Sequence, residues 1–117
     1  MKTSSCKAKA RALQNAVREM IAAILPDEFK CQSRTAIMGE TGTDIKLVSK
    51  AREIFPWAVE CKNQERLSLW DAWGQTTENA VKEQLKPLLF VKKNRTDILV
   101  VLKATDFFEL IGRLGGK

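Results

Sequence analysis

Histidine is absent from this 117-residue chain, and its absence removes whole classes of chemistry. Ser-His and Cys-His nucleophile pairs are unavailable, as are phosphodiesterase centres in which histidine holds the metal. Any hydrolysis has to run on carboxylates, lysine and a metal. Cysteine is sparse: Cys6, Cys31 and Cys61 are too few and too scattered for a disulfide framework, and without histidine they make a poor zinc set. They are expected to be buried free thiols in a reducing cytosol. No apolar run approaches the roughly 18 residues of a membrane span, and the N-terminus lacks an apolar segment followed by a cleavage site. A cytoplasmic chain without membrane association is expected, in which the glycosylation sequon Asn94-Arg95-Thr96 is a chance match.

With 44% hydrophobic residues, the chain is long enough for one core, so residues 1–117 are read as a single domain. Twenty basic residues against 14 acidic ones leave a net charge of +6, which suits a polyanionic partner. The excess is shared evenly between the two halves. No basic tail is appended, and a binding surface has to be assembled by folding.

The stretch from Gly39 to Lys62 carries the most chemistry. A glycine-rich turn leads into a short strand opening on Asp44, and a second strand, Trp57 to Lys62, ends in Glu60-Cys61-Lys62. Side chains two apart in a strand share a face, so Glu60 and Lys62 project together while Val59 and Cys61 point the other way. Pairing of the two strands as a hairpin would bring Asp44 close to Glu60. Two carboxylates and the Cys61 backbone carbonyl offer the hard oxygen donors that Mg²⁺ or Mn²⁺ prefers. Lys62 adds positive charge beside them. Such a set is equipped to hydrolyse a phosphodiester, with a metal to polarise the phosphoryl oxygen and a cation to stabilise transition-state charge.

Gly42-Thr43-Asp44, followed sixteen residues on by Glu60-Cys61-Lys62, resembles the PD-(D/E)XK nuclease superfamily in its variant with glycine ahead of the first aspartate. The Phe55-Pro56 turn, Asn63 and Glu65 after the lysine, and Gln75 on the next helix resemble small phage-type members. Thr43 stands where the family name has proline. The resemblance implies a restriction-endonuclease-like α/β core, a central mixed sheet flanked by helices in the order αβββαββα. It further implies a Mg²⁺- or Mn²⁺-dependent endonuclease acting on DNA, with Asp44, Glu60 and Lys62 catalytic and Gln75 auxiliary. Glu19, the acid of the first helix, would join the metal site, and Ser33 or Arg34 would approach the scissile phosphate. A Holliday-junction-resolvase-like homodimer, a nuclease subunit serving a helicase, and a restriction-type cutter all fit this reading. A nucleic-acid-binding module that lost the chemistry is the alternative from another class.

Along the chain, residues 5–25 read as an amphipathic helix, capped by Ser4 or Ser5, with Leu13, Val17, Met20, Ile21 and Ile24 as its apolar stripe. Its early cations, Lys2, Lys7, Lys9, Arg11 and Arg18, oppose the helix dipole, so that end frays, meets phosphate or is solvated. Phe29 to Ser33 or Arg34 is expected as a strand with Phe29, Cys31 and Ser33 on one face. Glu40 is expected as an exposed turn residue. Residues 48–52 form a basic connection, and Lys46, Lys50 and Arg52 are candidates for DNA backbone contacts.

Ser68 opens a second long helix with Asp71 as its capping partner. Leu69, Trp70, Trp73, Thr77, Ala80 and Val81 form its apolar stripe, the tryptophans being read as core. Gly74 interrupts it at a cost of about 1 kcal/mol. The apolar runs Leu88–Val91 and Ile98–Leu102 read as strands covered on both faces, and Lys92, Lys93 and Arg95 lie in the loop between them, placed to touch a duplex. A last helix, capped by Thr105, carries Phe107, Phe108, Ile111 and Leu114, which either close the core or form a dimer contact.

Overall fold

The computed structural model describes residues 3–116 and shows a compact α/β fold built on a small mixed sheet. Helix α1 spans Thr3–Ala23, and a 3₁₀ segment, Asp27–Gln32, leads into strand β1, Ser33–Thr35. There follow β2 (Ile45–Leu47), α2 (Ser49–Ile54), β3 (Trp57–Asn63), α3 (Leu69–Glu83), β4 (Lys86–Lys92), β5 (Leu99–Val101) and α4 (Ala104–Gly116). None of the described helices is long and apolar enough to cross a membrane.

β3 and β4 run parallel, from Trp57 opposite Lys86 to Asn63 opposite Lys92, with α3 as the crossover between them. β5 pairs antiparallel with β4 at the edge. The alternation along β3 divides the domain into layers. Trp57, Val59 and Cys61 join Leu13, Val17, Ile21 and Leu25 of the α1 region in one buried cluster. The opposite face meets α3 through the buried Ala72, Thr76 and Ala80, small side chains that let helix and sheet approach closely.

Several sequence expectations give way here. β2 does not form a hairpin with β3; it pairs antiparallel with β1, Arg34 opposite Lys46, in a separate two-stranded sheet. The 48–52 connection contains α2, which buries Ala51 completely and takes a capping bond from outside itself, the Ala51 N–H donating to Gln32 Oε1 at 2.9 Å. Residues 29–32 are 3₁₀ rather than strand, and Lys30 explains why: its Nζ donates to the Ala22 carbonyl and, at 2.9 Å, to the Leu25 carbonyl. Folding back to cap α1 satisfies carbonyls that an extended segment would leave unpaired. Cys31 is consequently exposed, as is Cys6, and only Cys61 is a buried thiol.

Helix α1 is already formed at Thr3, so Ser5 lies within it; Lys2 and the Ser4 side chain fall outside the described residues. Two of the five residues of its predicted stripe face solvent, Met20 and Ile24 being exposed. On α3, Trp70 is 79% exposed and Val81 also faces solvent, while Trp73 is half-buried. The helix turns its alanines to the sheet, so the tryptophans are not core. Ser68 is the N-cap residue, but its hydroxyl donates to the Asp71 carboxylate at 2.8 Å instead of accepting a backbone N–H. Thr105 lies inside α4. β5 is an edge strand with Leu99 and Val100 exposed, not a strand covered on both faces.

Replacing Lys30 by Met keeps the aliphatic stem and removes both charged bonds to the end of α1. It is expected to cost about 1–2 kcal/mol in urea unfolding, and an unchanged midpoint would show that the cap contributes nothing.

Candidate metal centre and its surroundings

Gly39 and Gly42, at φ of 85° and 92°, let the chain turn back between β1 and β2. At Gly42 a Cβ would also stand 2.9 Å from Lys46 Nζ, the mobile tip of a side chain that could shift, so it is the positive φ that calls for glycine. Glu40 pins this turn. Its carboxylate accepts two bonds from the Arg34 guanidinium, each 2.9 Å, and a third from the Ile37 N–H at 3.0 Å. The Arg34 bonds above all hold its carboxyl down at about 2. Glu40 is thus a structural clamp and not a loose turn residue.

The turn delivers Asp44 to the outer edge of β3. Its N–H donates to the Val59 carbonyl at 2.9 Å, and its Oδ2 accepts the Cys61 N–H at 2.7 Å. Residues of one strand parity direct both N–H and C=O to the same side, so the Cys61 carbonyl also faces this edge. Glu60, only 6% exposed, lies on the α3 face, where Asn79 Nδ2 donates to its Oε2 at 2.7 Å.

Electrostatics set this pair apart. Burial, and next the charge of Asp44, push the Glu60 carboxyl up to about 7 against the pull of Asn79, Lys62 and Lys46. Asp44 is also raised, chiefly by burial, and opposed by the Cys61 N–H and the two lysines. The charge of Asp44 is among the causes that raise Glu60, so the proton affinity of the one depends on the state of the other. Burial likewise raises the neighbouring Cys61 thiol.

The expected site residues separate into groups. Asp44, Glu60, the Cys61 backbone and Lys62 converge as anticipated, through a side-chain bridge instead of a hairpin. Lys46 belongs with them electrostatically, but its Nζ is committed to the Thr41 carbonyl at 2.7 Å and lies 4.0 Å from Glu40. Gln75 lines a cleft of about 190 Å³ with Lys62, Gln64, Ser68 and Asp71, beside the acids. Glu19 is exposed and 3.5 Å from Arg18; it lines a hollow with Asn15, Ser33 and Arg34. Among the described residues no three histidine, cysteine, aspartate or glutamate side chains are grouped so as to hold a metal ion, Glu19 with the pair included.

Several proposed phosphate contacts are occupied internally. Ser33 is buried and donates to the Lys30 carbonyl at 2.8 Å. Arg34 is held by Glu40, and Arg52 by Glu83 at 3.2 Å. Arg11 and Arg18 donate to the Ala36 and Ser33 carbonyls, which explains their place on α1 without phosphate. Lys50 forms an exposed pair with Glu53. Lys92 Nζ ties its own loop together through the Lys93 and Thr96 carbonyls, while Lys93 and Arg95 are exposed. The sequence reading missed Asn79; the available signal was its position four residues after Gln75, the spacing that shares a helix face.

Comparison with protein-family models, with curated proteins and with solved structures gives no match.

A carboxyl raised in the folded state contributes its full stability below the unfolded value and loses it as pH rises through the folded value. With Glu60 held near 7, the protein in chelator is expected to weaken between about pH 4.5 and 7 by something on the order of 2–3 kcal/mol. Glu60→Gln should flatten that slope and be the more stable form at pH 8 in urea titrations. An identical slope in the variant would place the protonated group elsewhere.

Proposed function

We propose that this chain is a divalent-metal-dependent nuclease that hydrolyses DNA phosphodiester bonds at the Asp44–Glu60–Lys62 site. The observation carrying this reading is the meeting of the half-buried Asp44 with the buried Glu60 at the edge of β3, where burial raises both carboxyls and Lys62 and Lys46 oppose the shift. Carboxylates forced together out of water destabilise a fold unless a cation compensates them. The donor set is all oxygen and fits Mg²⁺ or Mn²⁺ rather than a softer metal. Asp44 Oδ2 and Glu60 Oε2 are taken by Cys61 and Asn79, which leaves Oδ1, Oε1 and the Cys61 carbonyl to hold the ion.

Such an ion supplies Lewis acidity and charge to a phosphoryl group. The protein's own groups do the remainder. Asn79 fixes the rotamer of Glu60, and the Cys61 N–H fixes Asp44. Lys62, half-exposed at the mouth of the cleft it shares with Gln75, neutralises developing phosphoryl charge or orients the attacking water. The Gln75 amide is placed to hold a water or a phosphate oxygen.

The resemblance to the PD-(D/E)XK superfamily supports the same reading. On it, β1 to β5 with α1 and α3 make up the restriction-endonuclease-like core, and α2 is an addition between the motif strands. Lys93 and Arg95 extend the positive surface. Recognition by backbone or DNA shape rather than by base edges is the form of binding this reading expects.

With Mg²⁺ or Mn²⁺, nicking or cutting of DNA is expected from the wild type. Asp44→Asn, Glu60→Gln and Lys62→Met should each lose about a hundredfold or more, and Asn79→Ala a smaller factor. A folded Glu60→Gln protein that cuts at the wild-type rate would sink the assignment, and wild-type binding without cleavage in either metal would favour the inactive binding module.

A separate expectation concerns affinity. Reversing Lys93 and Arg95 should reduce the slope of log affinity against log salt by roughly 2. Arg34→Ala and Arg52→Ala should chiefly lower the unfolding midpoint, and an unchanged slope in the first variant would move the DNA surface off this loop.

A further inference from the structure

β5 is the outermost strand of its sheet, and one of its backbone edges pairs with no strand among the described residues. Proteins blunt such edges with lysine, proline, a bulge or a covering helix. Leu99-Val100-Val101 carries no lysine or proline, and Leu99 and Val100 stay 61% and 47% exposed with α4 in place. The apolar surface continues past the strand. On the α3 side a hollow of about 210 Å³ is lined by Trp70, Trp73 and Leu102. Beyond the strand, α4 exposes Phe108, Ile111 and Leu114, the last at 83%. A monomer seldom leaves so extended an apolar surface to water.

The strand also specifies what covers it. Asp97-Ile98-Leu99-Val100-Val101-Leu102-Lys103 is symmetric in character about Val100. Laid antiparallel on an identical segment with the two-fold axis at Val100, Ile98 meets Leu102, Leu99 meets Val101, and Asp97 meets Lys103 at both ends. Opposite charges across a strand pair stabilise it, and identical strands meeting antiparallel close as a two-fold dimer. Copies with a net charge of +6 repel one another in general, so an uncharged seam ended by complementary charges singles out this register.

We propose that two copies of this chain associate through β5, joining their three-stranded sheets into one continuous sheet, with the exposed apolar side chains of α4 and Trp70 flanking the seam. The acid pair lies at the far edge of β3, so the dimer carries its two candidate sites on its outer edges. This proposal stands independently of the nuclease reading.

Light scattering on the full chain should give twice the 13.2 kDa chain mass at micromolar concentration. Both charged residues are exposed, so their substitution leaves the fold intact, which circular dichroism checks. Asp97→Lys or Lys103→Asp alone should raise the dimer Kd by about fivefold or more at low salt, and the double exchange should restore it. A wild type that remains monomeric at its highest soluble concentration overturns the proposal and leaves the edge to a different protein. A dimer indifferent to the charge exchanges but abolished by Phe108→Lys overturns it in favour of a contact through α4 alone.

Discussion

One residue, Asp44, joins the β1–β2 sheet to the edge of β3. The outer edge of β3 presents an N–H and carbonyls that need partners once buried, and among the described residues no strand pairs with that edge. Asp44 supplies partners with its own N–H and its Oδ2, making two rungs of a ladder with a single residue. The same group is therefore both clamp and candidate metal ligand. Asp44→Asn retains an acceptor oxygen for Cys61, whereas Asp44→Ala would confound lost chemistry with a loosened fold.

The cost of the site is carried by the layering behind it. Odd positions of β3 give their apolar side chains to α1, leaving the even positions, Glu60 and Lys62, for the α3 face. Ala72, Thr76 and Ala80 bring α3 close enough for Asn79 to reach Glu60. Close approach excludes water, which raises Glu60, and the one amide bond offsets only part of that penalty. Sites strained in this way are less stable than the fold would otherwise permit, a recurrent compromise where function requires buried charge.

The acid pair and its lysine were legible in the sequence because strand alternation is a local rule: Glu60 and Lys62 share a face whatever β3 packs against. How Asp44 reaches them was not legible, since a bond from a side chain to a distant strand edge leaves no periodic trace. The 3₁₀ segment was hidden for a similar reason, its geometry being fixed by Lys30 reaching back to α1. On α3 the large aromatic residues outweighed the alanines in the apolar pattern, yet close packing selects the small side chains for the sheet and puts Trp70 outside. Charge misled most. Arg34, Lys46 and Arg52 look like a phosphate-binding cluster until Glu40, Thr41 and Glu83 are seen to occupy them.

With those cations committed internally, the exposed Lys93 and Arg95 remain in the β4–β5 loop. Gln64 N–H donates to the Lys92 carbonyl, and Glu65 accepts the Asn94 N–H, so the β4–β5 loop is fastened to the end of β3. Gln64 and Leu67 line both the Lys62–Gln75 cleft and a second hollow, of about 280 Å³, that includes Lys92 and Lys93. These hollows lie beyond the carboxyl ends of the two parallel strands, where open α/β sheets ordinarily place their ligands. The β3–α3–β4 crossover brings Lys62 and the β4–β5 loop to the same end of the sheet. Around β1, β2 and α2, by contrast, Arg34 and Arg52 are already paired with Glu40 and Glu83.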